Sequence, residues 1–117
     1  MVEKALCWEE IFVNEQGGIY QCISQRKIVF VFQDKVEYLR INDFFRLQKL
    51  VATIDVEKML LATSLSSEIE ILSPIFFEHF FILSIVDVLA LQDLLEGAIV
   101  MLELQTIIYE RLYSVIV

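Results

Sequence analysis

The sequence is poor in the residues that most often carry chemistry. Its 117 residues include one histidine, two cysteines, one proline and three glycines, and the net charge is −8. Nucleic-acid binding and binding to anionic membranes both depend on Lys and Arg, so the acidic balance argues against either partner. Zinc needs three or four ligands, and His79, Cys7 and Cys22 are dispersed along the chain. We therefore predict no metal, no cofactor and no catalytic residue, and hence no enzyme.

The single histidine has two readings. His79 has no cluster of cysteines, serines or acids around it in the sequence, which argues against a ligand or a general base. A histidine at a strand end that only makes a hydrogen bond is the simpler interpretation. On that interpretation, removing the imidazole costs no more than about 1 kcal/mol of stability.

Apolar residues make up 57% of the chain, against about 45–50% in ordinary soluble domains. A single domain spanning 1–117 has little interior, so part of this apolar surface is expected at an interface with another copy or with an unknown protein partner. No secretory signal is visible, and charges interrupt the apolar stretch from 80 onwards before it reaches the ~18 residues of a spanning helix. The sequence thus predicts a cytoplasmic protein with reduced thiols.

The first third of the chain reads as an antiparallel meander. Apolar residues alternate with polar ones in short runs that are separated by glycines or charged turns. One run, IVFVF, is apolar on both faces and is therefore predicted to be a central strand. The predicted strands cover 7–14, 19–24, 28–33 and 36–41.

The first hairpin is predicted to turn at Gly17-Gly18, because adjacent glycines supply positive φ at no steric cost. A two-residue turn there places Cys22 opposite Val13 and Cys7 opposite Ile28, beyond the second strand. In that register the two cysteines do not meet. We therefore expect free thiols without a metal.

A strand-to-helix unit is predicted to occur twice. Residues 36–51 and 80–95 align at an offset of 44 positions (83 − 39), with six identities. In each copy an apolar run leads to an Asp and then to a helical pattern, which predicts an internal duplication with repeat-like halves 1–62 and 68–117. The identical pairs are Leu39 and Leu83, Ile41 and Ile85, Asp43 and Asp87, Leu47 and Leu91, Gln48 and Gln92, and Leu50 and Leu94.

Between the two copies the pattern predicts a helix, a loop and two short strands. Asn42 or Asp43 is expected to cap the helix, which runs to about Ala62 with a break near Ile54-Asp55 as the alternative. The loop is Thr63–Ser67, and the strands cover 68–73 and 79–85. In the first of these strands Glu68 and Glu70 alternate with isoleucines. A half-wet strand face explains this carboxylate pair better than a metal or acid–base site does.

The last helix is the most apolar element. It is predicted to begin at Ser84 or Asp87 and to run to about Ser114, with a kink or break at Gly97 left open. Its polar residues form one narrow stripe, so most of its circumference must be covered. We predict that four residues are shared between the core and a dimer interface: Met101, Leu104, Ile108 and Leu112.

The Cys22 strand, the IVFVF strand and the repeated acid-initiated helices resemble a small uncharacterised domain family of Bacteroidetes bacteria. The stretch LALQDLLEGAIVMLELQ is the most similar part, and the resemblance spans roughly 18–110. It implies no activity. That family has cysteine-rich N-terminal strands, at times with a C-x-x-C motif, and this sequence has Cys22-Ile23-Ser24-Gln25 instead.

Together these patterns predict an α+β fold in which an antiparallel sheet carries two helices on one face. The predicted function is that of a small non-enzymatic interaction module that forms a homodimer. The alternative is a binding protein for a small apolar ligand, held between the sheet and the C-terminal helix.

Overall fold

The computed structural model describes residues 7–61 and 69–116, and it describes the side chains of the last helix as far as Gln105. The fold is α+β, as the sequence predicts. A four-stranded antiparallel sheet is joined by a two-stranded sheet and by helices. The elements are β1 Trp8–Val13, β2 Gly17–Cys22, β3 Lys27–Phe32, β4 Lys35–Leu39, α1 Ile41–Ala52, α2 Val56–Leu60, β5 Glu70–Leu72, β6 Phe81–Leu83 and α3 Ile85–Ile116.

The first four strands form a meander in the order β1-β2-β3-β4, so the IVFVF strand is central as predicted. Its alternate residues face opposite sides of the sheet. Phe30 and Phe32 point to the main core, which also contains the buried residues of α1 and α3. Val29 belongs to a second, smaller cluster with Trp8 and Cys22, and the described members of that cluster all lie on the sheet. The helices therefore pack on one face of the sheet only.

The predicted turn of the first hairpin is wrong. Gly17 and Gly18 are paired residues of β2, and neither has positive φ. The loop is instead organised by Asn14, whose Oδ1 accepts from the backbone N–H groups of Gln16 and Gly17 at 3.0 Å each. An Asn side chain can replace a backbone acceptor in this way. Gly17 is required by space, since a Cβ there would lie 2.4 Å from the carbonyl oxygen of Val31.

The hairpin register changes the position of the cysteines. Trp8 pairs with Cys22, and the register shifts between Glu10 and Phe12. Cys7, which precedes Trp8, therefore lies beside Cys22 instead of beyond the second strand. The two Sγ atoms are 4.0 Å apart, and the thiols are not linked. The expectation that the cysteines do not meet is wrong.

The first helix begins earlier than predicted. Its N-cap is Arg40, which makes no side-chain cap hydrogen bond, and Asp43 lies inside the first turn. Asp43 is buried and pairs with Arg40 and Arg46 at 3.1 and 3.5 Å. The break is confirmed, because α1 ends at Ala52 and α2 begins at Val56. Asp55 caps α2 by accepting from the backbone N–H of Lys58.

The two-stranded sheet faces the core with the side that carries Glu70 and Leu72. The sequence analysis assigned the glutamate side of β5 to solvent. Leu72 pairs with Phe81, Glu70 pairs with Leu83, and the three apolar members of these pairs are buried. Ile71 is 63% exposed on the other side. Glu70 lies on the core side and is partly buried, whereas the isoleucines face outward. Glu68 and the loop Thr63–Ser67 lie outside the described residues.

A strand followed by a helix is present at both predicted positions. Leu39 and Leu83 each end a strand, and Leu47 and Leu91 each lie in the following helix; all four are buried. The strands belong to different sheets, however, because β4 lies at the edge of the four-stranded sheet and β6 pairs only with β5. The internal duplication itself stays a prediction.

Candidate interaction surface on the C-terminal helix

The long helix begins at a reciprocal cap. The backbone N–H of Ser84 donates to Asp87 Oδ2 at 2.9 Å, and the backbone N–H of Asp87 donates to Ser84 Oγ at 3.3 Å. This is the predicted capping box with Asp in place of Glu. The helix then continues without interruption through Gly97 to Ile116. At about 1.5 Å per residue, its 32 residues span about 48 Å.

The first part of α3, residues 85–102, is here called the proximal segment, and it packs against the chain's own sheet and helices. Its inward residues are fully buried. Gly97 lets the helix approach β1 closely, because a Cβ there would lie 2.5 Å from the ring of Phe12. Gly97 is thus a close-packing position and not a break. The buried residues are Val88, Leu91, Leu94, Leu95 and Ala98.

The rest of α3, residues 103–116, is here called the distal segment, and at its start the helix leaves the domain. Glu103, Leu104 and Gln105 are all exposed. Consecutive residues of an α-helix point about 100° apart, so these three are spread over about 200° of the circumference. Gln105 lies three turns after Leu94, on the side that faces the core further up the helix. The exposed Gln105 therefore marks the point at which the sheet no longer covers the helix.

Of the four residues predicted at the dimer interface, Met101 lies in the proximal segment and the other three lie in the distal segment. Met101 is partly buried and packs against the core. Leu104 is 47% exposed. The side chains of Ile108 and Leu112 lie outside the described residues, although the backbone there is helical. The structure thus brings one candidate to the core and leaves another at the surface.

A buried carboxylate that the sequence analysis missed lies on the core side of β4. Glu37 is only 2% exposed. It accepts from the backbone N–H groups of Glu78 and His79 at 2.8 and 2.7 Å, and His79 Nδ1 lies 2.6 Å from its Oε2. His79 thus makes a hydrogen bond, as the sequence analysis expected, and its partner is the buried Glu37 carboxylate. A glutamate on the same strand face as Leu39 was the available signal.

This carboxylate fastens the loop before β6 to the edge of the main sheet. Two further contacts act in the same place. Lys35 Nζ donates to the carbonyl oxygen of Phe80 at 2.8 Å, and Gln33 Nε2 donates to that of Ile82 at 2.9 Å. The imidazole is 42% exposed, whereas the carboxylate is enclosed. We call the arrangement a clamp, because its contacts join the loop before β6 and β6 itself to β4 and to the turn that precedes β4.

An open cleft of about 790 Å³ lies between the α1–α2 break and β5. Its walls combine apolar side chains with Asp55, Lys58 and Glu70. Its size is in the range of small-molecule pockets. The apolar lining residues are Leu50, Ile54, Met59, Ile69, Ile71, Leu72 and Pro74.

In the part of the chain that the structure describes, no three His, Cys, Asp or Glu side chains converge as a metal site would require. Within the same residues, none of the helices combines the length and the apolar character of a membrane span.

Comparison with known proteins yields no match: no family model, curated protein or solved structure is significantly similar to this chain.

Proposed function

We propose that the protein is a small non-enzymatic interaction module of the cytoplasm that forms a homodimer through the distal segment of α3. The observation that carries the proposal is the exposure of Glu103, Leu104 and Gln105 over more than half of the circumference of a helix that continues to Ile116. The chain's own sheet covers the proximal segment and ends before these residues.

The composition of the distal segment supports association. After Gln105 the sequence reads TIIYERLYSVI, in which seven of eleven residues are apolar or aromatic. A helix of this composition that extends from its own domain needs another surface to cover it. Leu104, Ile108 and Leu112 recur every four residues and so lie on one side of the helix.

The dimensions are compatible with a helix that extends beyond the domain. The molecule measures 60 × 27 × 26 Å. Its radius of gyration is 16.0 Å, whereas about 13 Å is expected for a compact domain of this length. The distal segment is about 21 Å long at 1.5 Å per residue, which is enough for a paired helical interface.

A second copy is the partner that we propose, because closed two-fold dimers are the commonest assemblies of soluble proteins. Burying apolar surface contributes roughly 25 cal/mol per Å² before the costs of association, and a standard interface buries about 800 Å² on each side. Glu103 and Glu110 would lie at the rim of such an interface, where like charges can stay solvated.

A matched pair of leucine variants tests the proposal. Leu104 in the distal segment and Leu89 in the proximal segment are exposed to similar extents, 47% and 51%. We expect Leu104→Glu to lower the mass from near twice 13.7 kDa to near 13.7 kDa in light scattering, and Leu89→Glu to leave the dimer intact. Equal masses for the two variants would contradict the assignment of the interface to the distal segment.

The second candidate function is the binding of a small apolar ligand, and the cleft between α1–α2 and β5 favours it. The sequence analysis expected such a ligand between the sheet and the C-terminal helix. In the structure, Leu91, Leu94 and Phe12 belong to the packed core there. We would test the cleft with an apolar fluorescent dye. One saturable site per chain that Leu50→Trp abolishes and Leu89→Trp preserves would support this function, and non-saturable binding would oppose it.

A further inference from the structure

The two cysteines form a close pair at one corner of the four-stranded sheet. Their Sγ atoms are 4.0 Å apart, although the residues are fifteen positions apart in the chain. The strand register explains the proximity, because Cys22 is the partner of Trp8 and Cys7 is the residue before it. The register therefore holds the two residues at the paired ends of neighbouring strands, where their thiols are close enough to react.

The two thiols differ in access and in hydrogen bonding. Cys7 is exposed, whereas Cys22 is 1% exposed. Cys22 Sγ lies 3.5 Å from the hydroxyl of Ser24. Hydrogen bonds from the Ser24 hydroxyl and the backbone of Gln25 lower the pKa of the Cys22 thiol. The exposed thiol of Cys7 thus lies beside the enclosed thiol of Cys22, whose thiolate form is stabilised by hydrogen bonds.

We propose that Cys7 and Cys22 are a dithiol site that low-molecular-weight disulfides oxidise reversibly to an intramolecular disulfide. The Cys7 thiolate attacks one sulfur of the small disulfide RSSR, which forms a mixed disulfide on Cys7 and releases RS⁻. The Cys22 thiolate then attacks the Cys7 sulfur and displaces the second RS⁻. Each thiol gives up one proton, so one RSSR is reduced to two RSH while the protein loses two hydrogens.

This assignment gives the two cysteines different roles. Cys7 is the entry residue because solvent reaches it, and Cys22 is the resolving residue because it lies within 4.0 Å of Cys7 and is itself enclosed. The product would join the start of β1 to the end of β2. Trp8 is the single tryptophan of the chain. It follows Cys7 in the sequence and is the strand partner of Cys22. Its fluorescence is therefore a local reporter of the disulfide.

The test uses the full chain, folded, with oxidised glutathione as the probe. We expect both thiols to be lost together, a product about 2 Da lighter than the reduced chain, and a decrease in Trp8 emission. Dithiothreitol should restore the thiols, the mass and the emission. Glutathione that stays attached to the unaltered chain, a disulfide between two chains, or two thiols that persist would each overturn the proposal.

Two serine variants distinguish the role of Cys7 as the entry residue from that of Cys22 as the resolving residue. Cys22→Ser should stop at a single glutathione adduct on Cys7, because the resolving thiol is absent. Cys7→Ser should react at least tenfold more slowly than Cys22→Ser, because Cys22 is enclosed. Equal reaction rates of the two variants, with both shown by circular dichroism to be folded, would contradict the assigned order of attack.

Discussion

The two segments of α3 are similar in amino-acid composition and different in their surroundings. Both are rich in leucine, isoleucine and valine, and both carry few acids. In the proximal segment Leu91, Leu94 and Leu95 are enclosed by the chain's own sheet, whereas Leu104 at the start of the distal segment is half exposed. From this comparison we learn that apolar composition indicates that a helix needs a covering surface. It does not tell us whether the cover comes from the same chain.

The largest expected effect lies in the proximal segment. Leu94→Ala removes a fully buried side chain and leaves a cavity beside β2, so the free energy of unfolding should fall by about 2–5 kcal/mol. Urea denaturation at the lowest measurable protein concentration, which isolates the monomer from the dimer, measures this change. Leu104→Ala is the matched control, and an equal loss for the two variants would remove the distinction between the segments.

The next effect concerns the clamp that leads into the proximal segment. Glu37→Leu leaves two backbone N–H groups without their acceptor and should cost about 2–4 kcal/mol. Glu37→Gln keeps one acceptor oxygen and should cost less. Urea denaturation distinguishes the two variants. If Glu37→Leu were as stable as the unaltered chain, the clamp would not contribute to holding β6 and α3 in place.

A smaller effect is expected at the other partner of the clamp. His79→Ala removes the imidazole contact, but Glu37 keeps both backbone donors, so the cost should be about 1–2 kcal/mol. The upper part of this range exceeds the value expected from the sequence, because the partner is a buried carboxylate. Thermal unfolding monitored by circular dichroism provides the measurement. No loss of stability would mean that solvent replaces the imidazole fully.

The smallest expected effect on the single chain lies in the distal segment. Leu104→Glu should change the stability of the monomer by less than about 0.5 kcal/mol, because exposed positions tolerate substitution. Denaturation at the lowest measurable protein concentration isolates the monomer from the dimer. A loss of several kcal/mol under these conditions would show that Leu104 contributes to the core of its own chain.

Sequence patterns predicted the elements well where the determinants are local. The period of apolar residues identified the strands and helices of the described residues, and the Ser84–Asp87 cap and the break before Asp55 follow from short-range side-chain chemistry. The α+β class with helices on one sheet face follows from the order of these elements.

Features that depend on contacts between distant residues could not be predicted in this way. The hairpin register depends on the Asn14 side chain, and Gly17, which was predicted to be part of a turn, is needed for close packing. Glu37 and His79 are 42 residues apart, so their pairing is visible only once β4 and the loop before β6 are placed. The cysteine pair depends on the same register.

The central claim is that the distal segment of α3 holds two copies together, and the mass of the unaltered chain in solution tests it most directly. Sedimentation equilibrium over a hundredfold range of concentration in the micromolar region should show a reversible approach to twice 13.7 kDa. A mass of 13.7 kDa throughout that range, from protein that stays in solution, would contradict the claim.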